Sequence, residues 1–333
     1  MTTAAVLGAG SWGTALALHL ARTGTPTRLW ARDAASAGRL QRERQNEVYL
    51  PGHRFPDGLE VTGRLAEALE GAGLVLFVVP AQWSRPVYRD AAPRLDPAAD
   101  LVIASKGIEQ DSLLVLSEVL GQAAGEAAGR RATILSGPSF AAEVARGDPT
   151  AVVLAATETS AAERVQAVLS RSNLRVYRNA DRTGVELAGA LKNVVAIATG
   201  IAEGLGFGSN TRAALITRGL AEMSRLGTRL GGRPATFAGL AGAGDLILTC
   251  TGALSRNRSV GLEVGRGRRL DDVLAGMRMV AEGVATTRGA VALARRAGVD
   301  MPIVEQVHAV LFEGLDARDA VTGLLARPLK EEA

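Results

Sequence analysis

The sequence predicts an α/β domain on a mostly parallel sheet over residues 1–182, followed by an all-α domain over residues 183–333. Two observations predict it. Up to about residue 180, short β-branched or apolar runs alternate with segments of helix length, the pattern of βαβ units. Beyond that point, long Ala-, Leu- and Gly-rich stretches follow one another with no strand between them, as in a helical domain. A chain of 333 residues is long enough to bury two cores.

Seven strands are expected, at Ala4–Leu7, Thr27–Trp30, Leu74–Val79, Leu101–Ala104, Thr133–Leu135, Ala151–Leu154 and Leu174–Tyr177. Hydrophobic residues at 47% and charged residues at 22% are those of an ordinary globular protein. No apolar run is long enough to suggest a membrane span, and no signal peptide is expected from a start that runs directly into a strand. The single Cys250 excludes an intrachain disulfide and fits a cytoplasmic location. The net charge of +4 is spread along the chain and aromatics are at 4%, so a nucleic-acid surface is not expected.

The first expected strand runs into Gly8, Gly10 and Gly13, spaced G-x-G-x-x-G at the start of an amphipathic helix. In that context the pattern predicts a dinucleotide site: Gly8 turns the chain, Gly10 admits a pyrophosphate, and Gly13 lets helix and strand pack closely. The amides of Ser11 and Trp12 would face the phosphates. The first domain is therefore expected to be Rossmann-like. At the second strand end, "TRLWARD" presents Arg32 before Asp33. An arginine there suits the 2′-phosphate of NADP, so NADP is preferred over NAD. Tyr49 either flanks the adenine end or is a buried aromatic beneath a turn.

Only three residues among 38 Lys plus Arg are lysines: Lys106, Lys192 and Lys330. Lysine, unlike arginine, can give up a proton inside a protein. Lys192 sits in the apolar helix "GVELAGALKNVVAIATG", where Ala188, Gly189, Val195 and Ala196 are its helical neighbours and none can pair with it. Lys106 follows Ser105 at a strand end. "TILSGPSF" ends another strand at Ser136, with Pro138 at an expected helix start, so Ser136 or Ser139 is either a cap or part of a ligand site. Further on, Asp245 follows a glycine turn, and Ser255, Arg256, Asn257 and Arg258 cluster at a helix start as an anion clamp. His19, His53 and His308 read as structural, and no metal-ligand cluster is present in the sequence pattern.

Seven stretches in order carry a resemblance: "GAGSWGTALA", "SKGIE", "SGPSFAAEV", "ELAGALKNVVAIATGI", "GLAGAGDLILTC", "SRNRSVG" and "VAEGV". Together, from about residue 4 to about residue 325, the chain resembles the bacterial NAD(P)-dependent sn-glycerol-3-phosphate dehydrogenases. The resemblance implies reversible reduction of dihydroxyacetone phosphate to sn-glycerol 3-phosphate, feeding glycerophospholipid synthesis. It implies Lys192 as general acid/base. Substrate contacts would be Lys106, Gly137, Ser139, Lys192, Asp245, Ser255, Arg256 and Asn257. Cofactor contacts would be Ser11, Trp12, Arg32, Lys106, Ala141, Arg256, Val280 and Glu282. An apolar helix face, with Lys106 nearby, is expected to ease loss of the Lys192 proton, leaving Asp245 or Lys106 as the group that tunes it. A homodimer is expected from the size of the helical domain. Reductases of the 3-hydroxyacid or ketopantoate kind share the dinucleotide half and a helix lysine, but a carboxylate substrate does not need the donors of "SRNRSVG".

Overall fold

A computed structural model of the chain describes residues 2–329 and 331; Lys330 lies outside them. Contacts divide the chain into two compact units, the first ending at Glu186 and the second starting at Leu187.

The first unit is built on an eight-stranded sheet. Its strands are β1 (Thr3–Leu7), β2 (Thr27–Trp30), β5 (Leu59–Thr62), β6 (Ala72–Phe77), β7 (Asp100–Ile103), β8 (Thr133–Ser136), β9 (Thr150–Ala155) and β10 (Leu174–Asn179). A separate antiparallel hairpin pairs β3 (Gln45–Asn46) with β4 (Leu50–Arg54). The sheet order is β10-β9-β8-β7-β6-β1-β2-β5, with every pair parallel except β8 and β9. All seven expected strands are present, β6 two residues earlier than read. The edge strand β5 and the hairpin were not foreseen. Ala4, Ala5, Val6 and Leu7 are fully buried, as a central parallel strand covered on both faces requires. The strand order reverses at β1, between β2 and β6, so the crevice beyond its carboxyl end is the expected ligand position.

The second unit contains helices and no strand among the described residues. Its first helix, Arg182–Gly204, begins five residues before the division and carries Lys192. One expectation needs correcting here: this helix is long and apolar enough to cross a membrane by composition. Its apolar window is wholly buried inside the protein, so it is a core helix.

Two helices of this unit touch through their backbones. A Cβ added at Gly200 would lie 2.1 Å from the Arg258 carbonyl oxygen, and one at Gly204 would lie 2.3 Å from that of Leu262. The approach is mutual: a Cβ at Gly261 or Gly265 would lie 2.1 Å or 2.3 Å from the Ile197 or Ile201 oxygen. No side chain larger than hydrogen fits these four places. The lysine helix and the helix Arg256–Gly265 are therefore in direct backbone contact.

Glu222, on the helix Ser209–Arg229, accepts hydrogen bonds from the amides of Ile303 (2.9 Å) and Val304 (3.3 Å) at the start of Pro302–Phe312. In the first unit Glu186 accepts from the amide (2.9 Å) and hydroxyl (2.5 Å) of Ser117. Both carboxyls are buried. Burial pushes each of them up to about 7, against hydrogen bonds that pull the other way.

Candidate active site

The glycine loop follows β1 directly. Gly8 has φ +123°, and a Cβ there would meet the Val78 carbonyl oxygen at 2.6 Å. A Cβ at Gly13 would fall 1.8 Å from the Gly8 oxygen, so this glycine permits the helix to sit on the turn. Gly10 differs, because a Cβ there meets nothing within 4 Å. The other two glycines are needed by the fold, whereas Gly10 borders open space at the start of the helix Ser11–Arg22. The buried Trp12 Nε1 finds no hydrogen-bond acceptor among the described residues. An open cradle at a helix N-terminus fits a dinucleotide pyrophosphate.

Sequence reasoning missed the residue that fixes this loop. Asn46, 1% exposed, donates from Nδ2 to the Ala9 carbonyl (3.0 Å) and the Thr14 hydroxyl (2.8 Å). Its Oδ1 accepts from the Tyr49 amide at 3.2 Å. Nothing local signals this role, since Asn46 and Ala9 are 37 residues apart. Tyr49 itself is 37% exposed, which excludes the buried-aromatic reading. Asp33 caps the helix Ala34–Glu43, accepting from the Ser36 amide at 2.7 Å, while Arg32 is exposed beside it.

At the carboxyl ends of β7 and β8, Lys106 Nζ donates to the Gly137 carbonyl at 3.1 Å, and Ser139 Oγ donates to the same oxygen at 2.9 Å. Gly137 has φ +122°, which favours glycine. These three residues, separate in sequence, form one group. The helix begins only at Ala141, capped by Phe140 without a side-chain bond, so neither Ser136 nor Ser139 is a cap and Pro138 does not start a helix.

In the second unit Lys192 is 6% exposed. Its Nζ donates to Asp245 Oδ1 and to Thr249 Oγ1, both at 2.7 Å. The helix around Lys192 is apolar, as read, but the amine end is not. Asp245, one of the two partners the sequence left open, is in hydrogen-bond contact with the amine. Thr249 Oγ1 donates to the Asp245 carbonyl at 2.6 Å. It was overlooked, although it lies four residues after Asp245 on the helix Asp245–Thr251, where same-face spacing could have marked it. A π-helical turn, Leu240–Gly244, leads into Asp245. Such turns are rare and frequent at functional sites. A Cβ at Gly242 would lie 2.0 Å from the Phe237 carbonyl oxygen, so glycine is needed for this turn to pack.

The "SRNR" cluster separates into different tasks. Ser255 caps the helix Arg256–Gly265 by accepting from the Arg258 amide at 3.2 Å. Arg256 presents part of its side chain to solvent and donates to the Val280 carbonyl at 2.6 Å; desolvation around its guanidinium lowers its pKa, against the attraction of Glu282. Asn257 Nδ2 donates to Asn193 Oδ1 at 2.8 Å, and its Oδ1 accepts from the Gly283 amide at 2.9 Å. The residue after Lys192 is thus tied both to the arginine cluster and to the start of Glu282–Ala297. Arg258 is not a second finger of the clamp: it makes a two-pronged ion pair with Glu203, at 2.9 and 2.6 Å. Ala141 starts the helix after the Gly137 turn, and Val280 is 45% exposed. His19 is structural, its Nε2 lying 2.9 Å from the Leu169 carbonyl oxygen.

A sheet whose order reverses at a glycine cradle, followed by a helical unit with a buried amine–carboxylate–hydroxyl group, defines a nicotinamide-dependent dehydrogenase. Residues 3–162 match the N-terminal family profile of NAD-dependent glycerol-3-phosphate dehydrogenase, and residues 181–322 match its C-terminal profile. The chain is 54% identical over 328 residues to the glycerol-3-phosphate dehydrogenase [NAD(P)+] of Geobacter sp. (strain M21), covering 98% of both chains. It is 52% identical to the enzyme of the same name from Syntrophotalea carbinolica, again over 98% of each. The crystal structure of glycerol-3-phosphate dehydrogenase from Coxiella burnetii superposes with a TM-score of 0.93 at 42% identity, covering 98% of this chain and 99% of that one. The chain belongs to the NAD-dependent glycerol-3-phosphate dehydrogenase family, and it is an NAD(P)-dependent oxidoreductase.

Proposed function

We propose that the protein reduces dihydroxyacetone phosphate to sn-glycerol 3-phosphate reversibly, with Lys192 as general acid/base and NADPH preferred over NADH. One observation carries the reading: Lys192 and its two partners, Asp245 and Thr249, form a buried proton-handling group in a chain of this family. The reduced nicotinamide, when bound, supplies the hydride.

Lys192 as ammonium donates a proton to the carbonyl oxygen as negative charge develops there; in the reverse direction its neutral form accepts one. Asp245 and Thr249 orient the amine, and the carboxylate keeps it charged until the proton is needed. Arg256, Asn257 and Ser255 are assigned to the substrate phosphate. Arg256 supports this because it stands outside the Glu203 ion pair, to which Arg258 is committed. Phosphate held there orients the carbonyl through binding energy remote from the reacting atoms. In the first unit we assign Lys106, Gly137 and Ser139 to the substrate on the motifs that carry them.

Trp12, Ser11 and the Gly10 cradle hold the dinucleotide, with Ala141, Lys106, Val280, Glu282 and Arg256 as further contacts and Tyr49 towards the adenine end. The preference for NADP rests on exposed Arg32 next to an Asp33 engaged in a helix cap. Supply of glycerophospholipid precursors by a cytoplasmic homodimer is part of the same proposal. The buried free thiol of Cys250 suits a reducing compartment.

The test is oxidation of NADPH and NADH in parallel with dihydroxyacetone phosphate and with ketopantoate. Turnover of the phosphorylated ketone, faster with NADPH and abolished by Lys192→Ala, is the expected result. Turnover of ketopantoate instead, or near-normal rates in Lys192→Ala, would overturn it.

A further inference from the structure

Two exposed side chains flank the glycine loop. Arg32 follows β2, and Trp83 ends the short turn Ala81–Trp83 after β6. β2 and β6 are the neighbours of β1 on either side, and all three run parallel. Both residues therefore leave the sheet at the same carboxyl edge as Gly8. The Arg32 Cζ lies 5.4 Å from the centroid of the Trp83 ring, within cation–π reach. Trp83 is 54% exposed, so it contributes little to the core.

The partner chosen for Arg32 matters. A carboxylate would neutralise the guanidinium and repel an incoming phosphate. An aromatic face attracts the cation while leaving its in-plane N–H donors unused. It also limits the rotamers of a long side chain before a ligand arrives, which is preorganisation. Asp33, the next residue in the chain, is directed to the Ser36 amide instead.

We propose that Trp83 is a positioning residue for cofactor selectivity: its ring holds the Arg32 guanidinium at the sheet edge, ready for the 2′-phosphate of an NADP-type ligand. The proposal rests on the reading of Arg32 as the 2′-phosphate contact. It adds a residue that carries no charge and lies outside the glycine motif.

Calorimetric titration of adenosine 2′,5′-bisphosphate and 5′-AMP, which differ only by the 2′-phosphate, tests it without turnover. Trp83→Ala should weaken the bisphosphate about three- to fivefold, the range of an exposed cation–π contact, and leave 5′-AMP unchanged. Trp83→Phe should recover part of the loss, and Trp83→Ala should add nothing in an Arg32→Ala background. The ratio of KM for NADPH to that for NADH should rise by the same factor in Trp83→Ala. Equal weakening of both nucleotides, or of neither, would overturn the role given to Trp83. If Arg32→Ala removes the preference and Trp83→Ala does not, only the Trp83 inference fails. If Arg32→Ala leaves bisphosphate affinity intact, the 2′-phosphate reading fails and the inference falls with it.

Discussion

Gly10 of the first unit and the helix-contact glycines of the second are used in opposite ways. In the first, Gly10 borders space that no protein atom fills, and the loop around it offers mainly backbone to a ligand. In the second, Gly200, Gly204, Gly261 and Gly265 border space already filled by another helix, and the polar group around Lys192 is made of buried side chains. One unit leaves main chain open at a helix start, and the other holds an amine with a carboxylate and a hydroxyl each 2.7 Å from it. The same residue type borders open space in one place and sets a packing limit in the other.

Substitutions can break or sharpen that contrast. The largest effect is expected from Lys192→Ala, with at least a ~10²-fold loss of kcat for dihydroxyacetone phosphate. Dinucleotide affinity measured by titration should persist, and its loss would mean the two units do not divide the work in this way. Next come the glycines. Gly261→Ala forces a methyl into a carbonyl oxygen and should cost about 1–3 kcal/mol of stability in urea denaturation. Gly10→Ala should stay within about 0.5 kcal/mol, because its backbone is extended and its surroundings open, yet weaken dinucleotide binding. Equal stability losses in the two variants would erase the distinction.

A smaller effect concerns pH, and here the units behave alike. Glu186 and Glu222 have folded-state values raised to about 7, so between about 4.5 and 7 the folded protein binds more protons than the unfolded chain. Their contribution is fully present below the unfolded value and is lost as pH rises through 7. Stability should fall between about pH 4.5 and 7 by on the order of 1 kcal/mol per pH unit for each group and level off above that. Glu222→Gln should flatten its share of that slope in denaturation curves, and an unchanged slope would count against it. Asn46→Ala should have the smallest effect, about 1 kcal/mol of dinucleotide affinity, seen as a several-fold higher KM with kcat preserved.

How much was legible in the sequence follows from the range of each interaction. The buried parallel strands announce themselves as continuous apolar runs and were read correctly, and the glycine spacing that follows the first of them is local enough to see. The edge strand β5, with Leu59 and Val61 inward and Glu60 outward, is too short to stand out against turn residues. Adjacent Arg256 and Arg258 look equivalent in sequence. What separates them is Glu203, 55 residues before Arg258 and brought close only by the packing of their helices. Asn46 is invisible for the same reason. Lys192 could be singled out by its apolar helix, but its carboxylate partner lies 53 residues further on and is brought to it only by the fold.

The backbone contact between the lysine helix and the helix Arg256–Gly265 also works as a gauge. Asn193 and Asn257 meet at 2.8 Å because the two helices cannot stand further apart without opening a gap, nor closer without collision. Neither helix can then be exchanged on its own for a homologous segment with a bulkier contact face. A chimera would have to import both together, and drift in one would be tolerated only as fast as the other follows.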